Sequence, residues 1–271
     1  MDYKTFLPGS LLSPFVKCFW SLEAPPSPSV EKQIIVPDGC MEMIIHYGDP
    51  YIQFLTNEKT IVQPRSFVFG QITSPLVIAP TGSSGIVATR FLPDGFVPFS
   101  SFATNAMTNR AVPLQELFGT EGTKLEKNVV AAVTTEERIT IMEYFLTRRL
   151  STAESTNTLA KETFNLLMHS KGQISVEALV TRLNTSPRQL ERKLSSVIGL
   201  SPKQLSKIIR LQSTLKLMEK QQFTSLTELA HECGYFDQAH FIKDFKEFTG
   251  VSPKQFYADH MKMSVLFIGA D

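Results

Sequence analysis

Apolar positions change rhythm near the middle of the chain. Up to about residue 115 they come in short runs broken by Pro, Gly, Asp and Asn: Gln33-Ile34-Ile35-Val36 runs into Pro37-Asp38-Gly39, and Gly85-Ile86-Val87-Ala88-Thr89-Arg90-Phe91 stands between turn residues. Met41, Met43 and Ile45 alternate with Glu42, with Ile44 interrupting the pattern. Runs of this length between turn signals predict the strands of a sandwich or barrel. From Thr134 onward Gly and Pro thin out and helical spacing takes over. Thr135-Glu136-Glu137 predicts a helix start with a polar cap and an acidic first turn, carrying Ile139, Met142, Phe145, Leu146 and Leu150 inward. Gly119 to Asn128, polar and with two glycines, reads as a loop or hinge.

The helical half repeats itself. Ile198-Gly199-Leu200-Ser201-Pro202-Lys203-Gln204-Leu205 returns as Thr249-Gly250-Val251-Ser252-Pro253-Lys254-Gln255-Phe256, 51 residues on. Val176-Glu177-Ala178-Leu179-Val180 returns as Leu226-Thr227-Glu228-Leu229-Ala230 after 50, so the second copy holds one extra residue in its middle. Each copy reads as a short helix, a turn at Asn184-Thr185 or Gly234-Tyr235-Phe236, and a second helix capped by Ser186 or Asp237. Leu190 and Leu194 in the first copy, and Phe241 and Phe245 in the second, are spaced to bury one face. This is the helix-turn-helix plan twice over. Between the copies, Lys203 to about Lys220 predicts one helix with Leu205, Ile208, Leu211, Leu215 and Met218 as its apolar stripe. Its length of roughly 25 Å suits holding two reading helices about one DNA turn apart, near ~34 Å.

Charge follows the same division. Of 271 residues with a net charge of +1, residues 1–154 hold 12 Lys+Arg and 15 Asp+Glu, and residues 155–262 hold 15 and 10. An acidic front and a basic back, net −3 and +5, hide behind the neutral total. A basic domain is an electrostatic footprint for nucleic acid. The predicted second helices turn Arg188, Gln189, Glu191 and Arg192, and in the second copy Gln238, His240, Lys243 and Lys246, away from their apolar faces. Such side chains pair with base edges in the major groove. A solvated helix face explains either set alone; two in register within a duplicated module favour DNA. Ser201 and Ser252 cap the next helices, leaving N–H groups at a positive helix end for a DNA phosphate, with Lys203 and Lys254 beside them.

The run from Gly234 to Pro253 resembles the signature of the AraC/XylS family of bacterial transcription regulators, and the resemblance covers about residues 160–260. It implies a DNA-binding domain of two helix-turn-helix units joined by a helix, with Arg188, Gln189, Glu191 and Arg192 in one recognition helix and Gln238, His240 and Lys243 in the other. The family often has Ser where this chain has Ala239 and Arg where it has Lys243. Leu12 to Trp20, Val36 to Glu42 and Arg90 to Gly95 resemble the sensor-like, cupin-like domain that precedes this module in one subgroup. The implied division is a β-rich domain at 1–118, a helical linker or dimerisation segment at 119–158, the DNA-binding domain at 159–262 and a tail at 263–271. The fold class is then α+β in two domains, a cupin-like β-barrel or sandwich followed by an all-α domain.

A barrel mouth is a plausible effector site, and Trp20, Met41, Met43, Phe91, Phe96 and Phe99 are its candidate lining, with plain core packing as the alternative. Residues 1–154 hold one histidine, His46, so neither a metal nor another cofactor is expected. No P-loop and no Gly-x-Ser-x-Gly occurs, and no enzyme is expected. The expected partners are double-stranded DNA, an unidentified small-molecule effector, RNA polymerase and a second copy of the chain. The start, Met1-Asp2-Tyr3-Lys4, has no basic region ahead of an apolar stretch, and the apolar runs are short for a membrane span, so a cytoplasmic protein is expected. The alternatives are an alkyl-transfer DNA repair protein, which needs an activated thiolate from Cys18, Cys40 or Cys233, and an adaptor that binds protein instead of DNA. The run Met263 to Ala270 is expected to pack on the protein.

Overall fold

In the computed structural model, residues 1–27, 31–55, 59–150, 158–221, 223 and 225–259 are described, so the tail from Met263 to Ala270 and part of the expected linker lie outside the described residues. The chain forms two compact units, one of residues 1–32, 40–71 and 77–156, the other of residues 33–39, 72–76 and 157–271.

The strands, in chain order, are β1 (Asp2–Phe6), β2 (Val16–Ala24), β3 (Gln33–Ile35), β4 (Glu42–His46), β5 (Tyr51–Phe54), β6 (Thr60–Val62), β7 (Ser66–Phe69), β8 (Leu76–Pro80), β9 (Ser84–Phe91) and β10 (Ala111–Pro113). One antiparallel sheet runs β1-β2-β9-β4-β7-β10. A second places β5 between β8 and β6. Side chains alternate across β2 and β9 because successive residues of a strand face opposite ways. Cys18, Trp20, Leu22, Ile86 and Ala88 pack with Tyr51 and Ile78 of the second sheet. Phe19, Met43, Ile45, Val68, Val87 and Phe91 face the other way. Of barrel and sandwich, the sandwich is realised: β1 and β10 remain as the two edges of the six-stranded sheet, so it does not close.

Three helices, α1 (Leu114–Phe118), α2 (Thr120–Ala131) and α3 (Thr135–Arg149), cover the second face. Leu125, Val129, Ile139, Met142 and Leu146 join the core there. Thr134 and Glu137 form a reciprocal capping box at the start of α3. The loop expected at Gly119 to Asn128 is instead α2. Its glycine serves packing rather than a turn, for a Cβ on Gly122 would stand 2.1 Å from the Leu114 carbonyl oxygen. The α1 backbone thus passes where a side chain would be.

The second unit holds α4 (Thr158–His169), α5 (Val176–Arg182), α6 (Pro187–Val197), α7 (Pro202–Glu219), α8 (Leu226–Glu232), α9 (Gln238–Thr249) and α10 (Pro253–Asp259). The helix starts follow from local chemistry. Ser186 Oγ accepts from Gln189 N at 3.2 Å, Asp237 Oδ1 from His240 N at 2.7 Å and Ser252 Oγ from Gln255 N at 3.3 Å. At α7 the Ser201 hydroxyl and the Gln204 carboxamide satisfy each other's backbone N–H. All five stripe residues of α7, with Leu190, Leu194, Phe241 and Phe245, are buried in this unit's core.

Candidate nucleic-acid interface

The pairs α5–α6 and α8–α9 form two helix-turn-helix units, and α7 is the rod between them. At 18 residues, α7 is about 27 Å long. On α6, burial of Leu190, Leu194 and Val197 leaves Arg188, Gln189, Glu191 and Arg192 exposed. On α9, burial of Phe241, Asp244, Phe245 and Phe248 leaves His240, Lys243 and Lys246 exposed and Gln238 half-buried. Thr227 donates its hydroxyl to Gln238 Oε1 at 2.9 Å, which orients that carboxamide. Lys203 and Lys254 are exposed on the first turns of α7 and α10, beside the half-buried Ser201 and Ser252.

Sequence reasoning missed what holds α9 in place. Lys207 on α7 reaches across to Asp244 Oδ1 and Glu247 Oε2, each at 3.0 Å. Asp244 Oδ2 also lies 3.6 Å from His240 Nε2. Burial works against the Lys207 ammonium, and the hydrogen bonds to the two carboxylates outweigh it, so its pKa rises. The signal was present in the sequence: Asp244 sits inside the apolar spacing Phe241, Phe245, Phe248, where an acid needs a partner.

The six candidate effector residues do not share one surface. Trp20 lies between the two sheets, and Met41, Met43, Phe91, Phe96 and Phe99 belong to the core under the helices. All are fully or nearly fully buried. Within the first unit, residues of the three matched segments touch one another. Trp20 Nε1 donates to Glu42 Oε1 at 3.1 Å, Arg90 Nη1 lies 3.4 Å from the same oxygen, and Leu92 N donates to Phe15 O at 2.8 Å. His46 is buried against the Tyr51 and Phe67 rings. Burial pushes the Cys40 thiol up to about 12 and raises Cys18 and Cys233 as well. A reactive thiolate needs the opposite shift. Among the described residues no helix is long and apolar enough to cross a membrane.

Residues 179–259 match the family model described as a helix-turn-helix domain, and residues 4–113 that of a domain of unknown function, DUF6597. The chain is similar to the HTH-type transcriptional regulator GbdR of Pseudomonas aeruginosa, 33% identical over 81 residues, 30% of this chain and 22% of GbdR. It is 26% identical over 134 residues to the HTH-type transcriptional activator RhaS of Escherichia coli, 48% of each chain. The matched stretches thus span less than half the length of these relatives. Among solved structures, ToxT from Vibrio cholerae matches at a TM-score of 0.49 and 12% identity, over 89% of this chain and 98% of ToxT. The C-terminal domain of AraT, a response regulator from Geobacillus stearothermophilus, matches at 0.36 and 27%, over 38% of this chain and 86% of that one.

Proposed function

We propose, from the premise that this chain is an AraC/XylS-family regulator with a DUF6597 domain ahead of its helix-turn-helix units, that α6 and α9 read neighbouring major-groove segments on one face of a promoter. The observation that carries this is the duplicated exposure. Each recognition helix buries its apolar stripe and turns basic and amide side chains outward, Arg188, Gln189 and Arg192 on one and Gln238, Lys243 and Lys246 on the other. Arg188 and Arg192 suit guanine O6 and N7, Gln189 and Gln238 suit adenine, and Glu191 suits cytosine N4. Lys203 and Lys254, exposed on the first turns of α7 and α10, take phosphates.

Effector control is assigned to the first unit. The supporting feature is the Trp20–Glu42–Arg90 polar group, which takes one residue from each of the three matched segments. Because the six candidate residues are closely packed, a ligand enters only by opening that packing, and its binding reads out as a raised melting temperature. Exposed Val130, Val133 and Tyr144 on and beside α2 and α3 support a self-association surface there, and light scattering on the full chain tests it. RNA polymerase is the further partner that promoter binding calls for.

A salt titration on duplex DNA tests the DNA reading. With roughly five to seven phosphates neutralised, log K falls against log salt with a slope of about −4.5 to −6.3. A flat line at measurable affinity rejects the reading and favours the adaptor.

A further inference from the structure

The one residue by which the two helix-turn-helix copies differ lies in the turn. Between the C-cap Leu183 and the N-cap Ser186 stand Asn184 and Thr185; between the C-cap Cys233 and the N-cap Asp237 stand Gly234, Tyr235 and Phe236. Asn184 and Gly234 both take positive φ, 45° and 71°, so each turn begins alike. The longer turn then divides its two aromatic residues. Tyr235 goes inward, its ring 5.3 Å from Phe241 and 5.1 Å from the Arg210 guanidinium. Phe236 goes outward and is 87% exposed.

An apolar residue immediately before an N-cap ordinarily folds back onto the fourth residue of the helix. Here that residue is Phe241, fully buried, and Tyr235 occupies the contact. Phe236 is thus left with an exposed ring for which the fold of the unit offers no use. It also stands directly ahead of the first turn of α9, beside exposed Ala239 and His240. On the reading above, that end of the helix meets base edges. A phenyl ring brings neither donor nor acceptor. Base faces are closed to it by stacking in a duplex, and phosphates gain nothing from it. The apolar group that the major groove does present is the thymine C5 methyl.

We propose that Phe236 is a specificity-determining residue that packs on a thymine C5 methyl next to the base pairs read by the start of α9. The proposal rests on the DNA-binding reading of the second unit. The first copy has no residue at this place: Thr185 N donates to Val180 O at 3.1 Å as Tyr235 N does to Ala230 O at 2.9 Å, so Thr185 matches the inward Tyr235, and the two half-sites are read differently, with thymine demanded at the α9 half-site only.

The full chain is used to select duplexes from a randomised pool, and each thymine of the selected site is replaced in turn by deoxyuridine, which lacks only the methyl. Dissociation constants are measured for the wild type, Phe236→Ala and Phe236→Leu. One or two replacements in one half-site are expected to weaken wild-type binding about fourfold each, the value of burying one methyl group. Phe236→Ala binds the thymine site more weakly by a similar factor, no longer distinguishes uracil there, and melts at the wild-type temperature. Phe236→Leu recovers part of the distinction. Wild-type binding indifferent to every replacement overturns the proposal. So do uracil penalties in Phe236→Ala equal to those of the wild type, including the case where that variant loses only contact with a protein. If the wild type selects a site and shows the salt slope but Phe236 leaves the uracil profile unchanged, only this inference fails. If it selects nothing and shows no salt slope, the DNA reading fails with it.

Discussion

Replacing Lys207 by methionine keeps most of the side-chain volume and removes the ammonium that ties α7 to α9. Asp244, 6% exposed, then loses its 3.0 Å partner and keeps only the His240 ring at 3.6 Å. Breaking a fully buried ion pair costs about 3–5 kcal/mol, whereas an exposed pair contributes about 1 kcal/mol or less. Lys207 is 24% exposed and Glu247 half exposed, which places the cost between these limits, at about 2 kcal/mol. Urea unfolding of the full chain resolves this. Ellipticity follows the helices, most of which lie in the second unit, while Trp20, the one tryptophan, reports on the first. The ellipticity midpoint should fall, and the Trp20 fluorescence midpoint should move less. Adding Asp244→Asn should recover part of the loss, because the stranded charge is gone. The raised Lys207 pKa means that its contribution is present below the ordinary lysine value of about 10.4 and is lost only as pH climbs through the raised value. The difference between variant and wild type should therefore hold constant from pH 7 to 9. A Lys207→Met chain as stable as the wild type, or a double variant no better than the single one, refutes the reasoning.

Three further substitutions test other parts of the account. Arg192→Ala should cost about 1–3 kcal/mol on the selected duplex and relax preference at one base position; equal binding to all duplexes at wild-type strength contradicts the role given to α6. Burial lowers the His46 pKa to about 4, below the unfolded value near 6.5, with the nearby Gln63 side chain opposing and the Arg65 charge lowering it further. Its neutral form therefore stabilises the fold above about pH 6.5, and that stability is lost as pH falls toward 4. By pH 4.5 the wild type should lose about 2 kcal/mol more than His46→Phe, read from Trp20 fluorescence in urea, and parallel losses count against it. Gly122→Ala should lower the melting temperature, since its Cβ would meet the Leu114 carbonyl oxygen at 2.1 Å. Helix propensity alone predicts a gain of about 1 kcal/mol, so a higher melting temperature rejects the close α1–α2 packing.

The helical half was legible because its information is local. A Ser or Asp cap followed by Pro or Gln fixes where α6, α7, α9 and α10 start, and the cap hydrogen bonds at Ser186, Ser201, Asp237 and Ser252 form as that chemistry requires. The first half was legible as strands but not as a closed or open sheet, because closure depends on which edges pair, and no single strand encodes that. Strand alternation separates Trp20 from Phe19, yet which face meets the second sheet and which meets helices is decided by segments far apart in sequence. The stretch Gly119 to Asn128 misled because glycine and charge ordinarily mark loops; here Gly122 makes room for α1, and Leu125 and Val129 give α2 its buried face. The Lys207–Asp244 pair joins residues 37 apart and has no local pattern, apart from an acid inside an apolar stripe.

Methylation protection on the selected duplex examines most directly the claim that one chain reads two consecutive major-groove segments. The account predicts two clusters of guanine N7 protection, about 10 base pairs apart and on one face of the helix, with Arg192→Ala clearing one cluster and Lys243→Ala the other. A single cluster, or two that vanish together under either substitution, contradicts it.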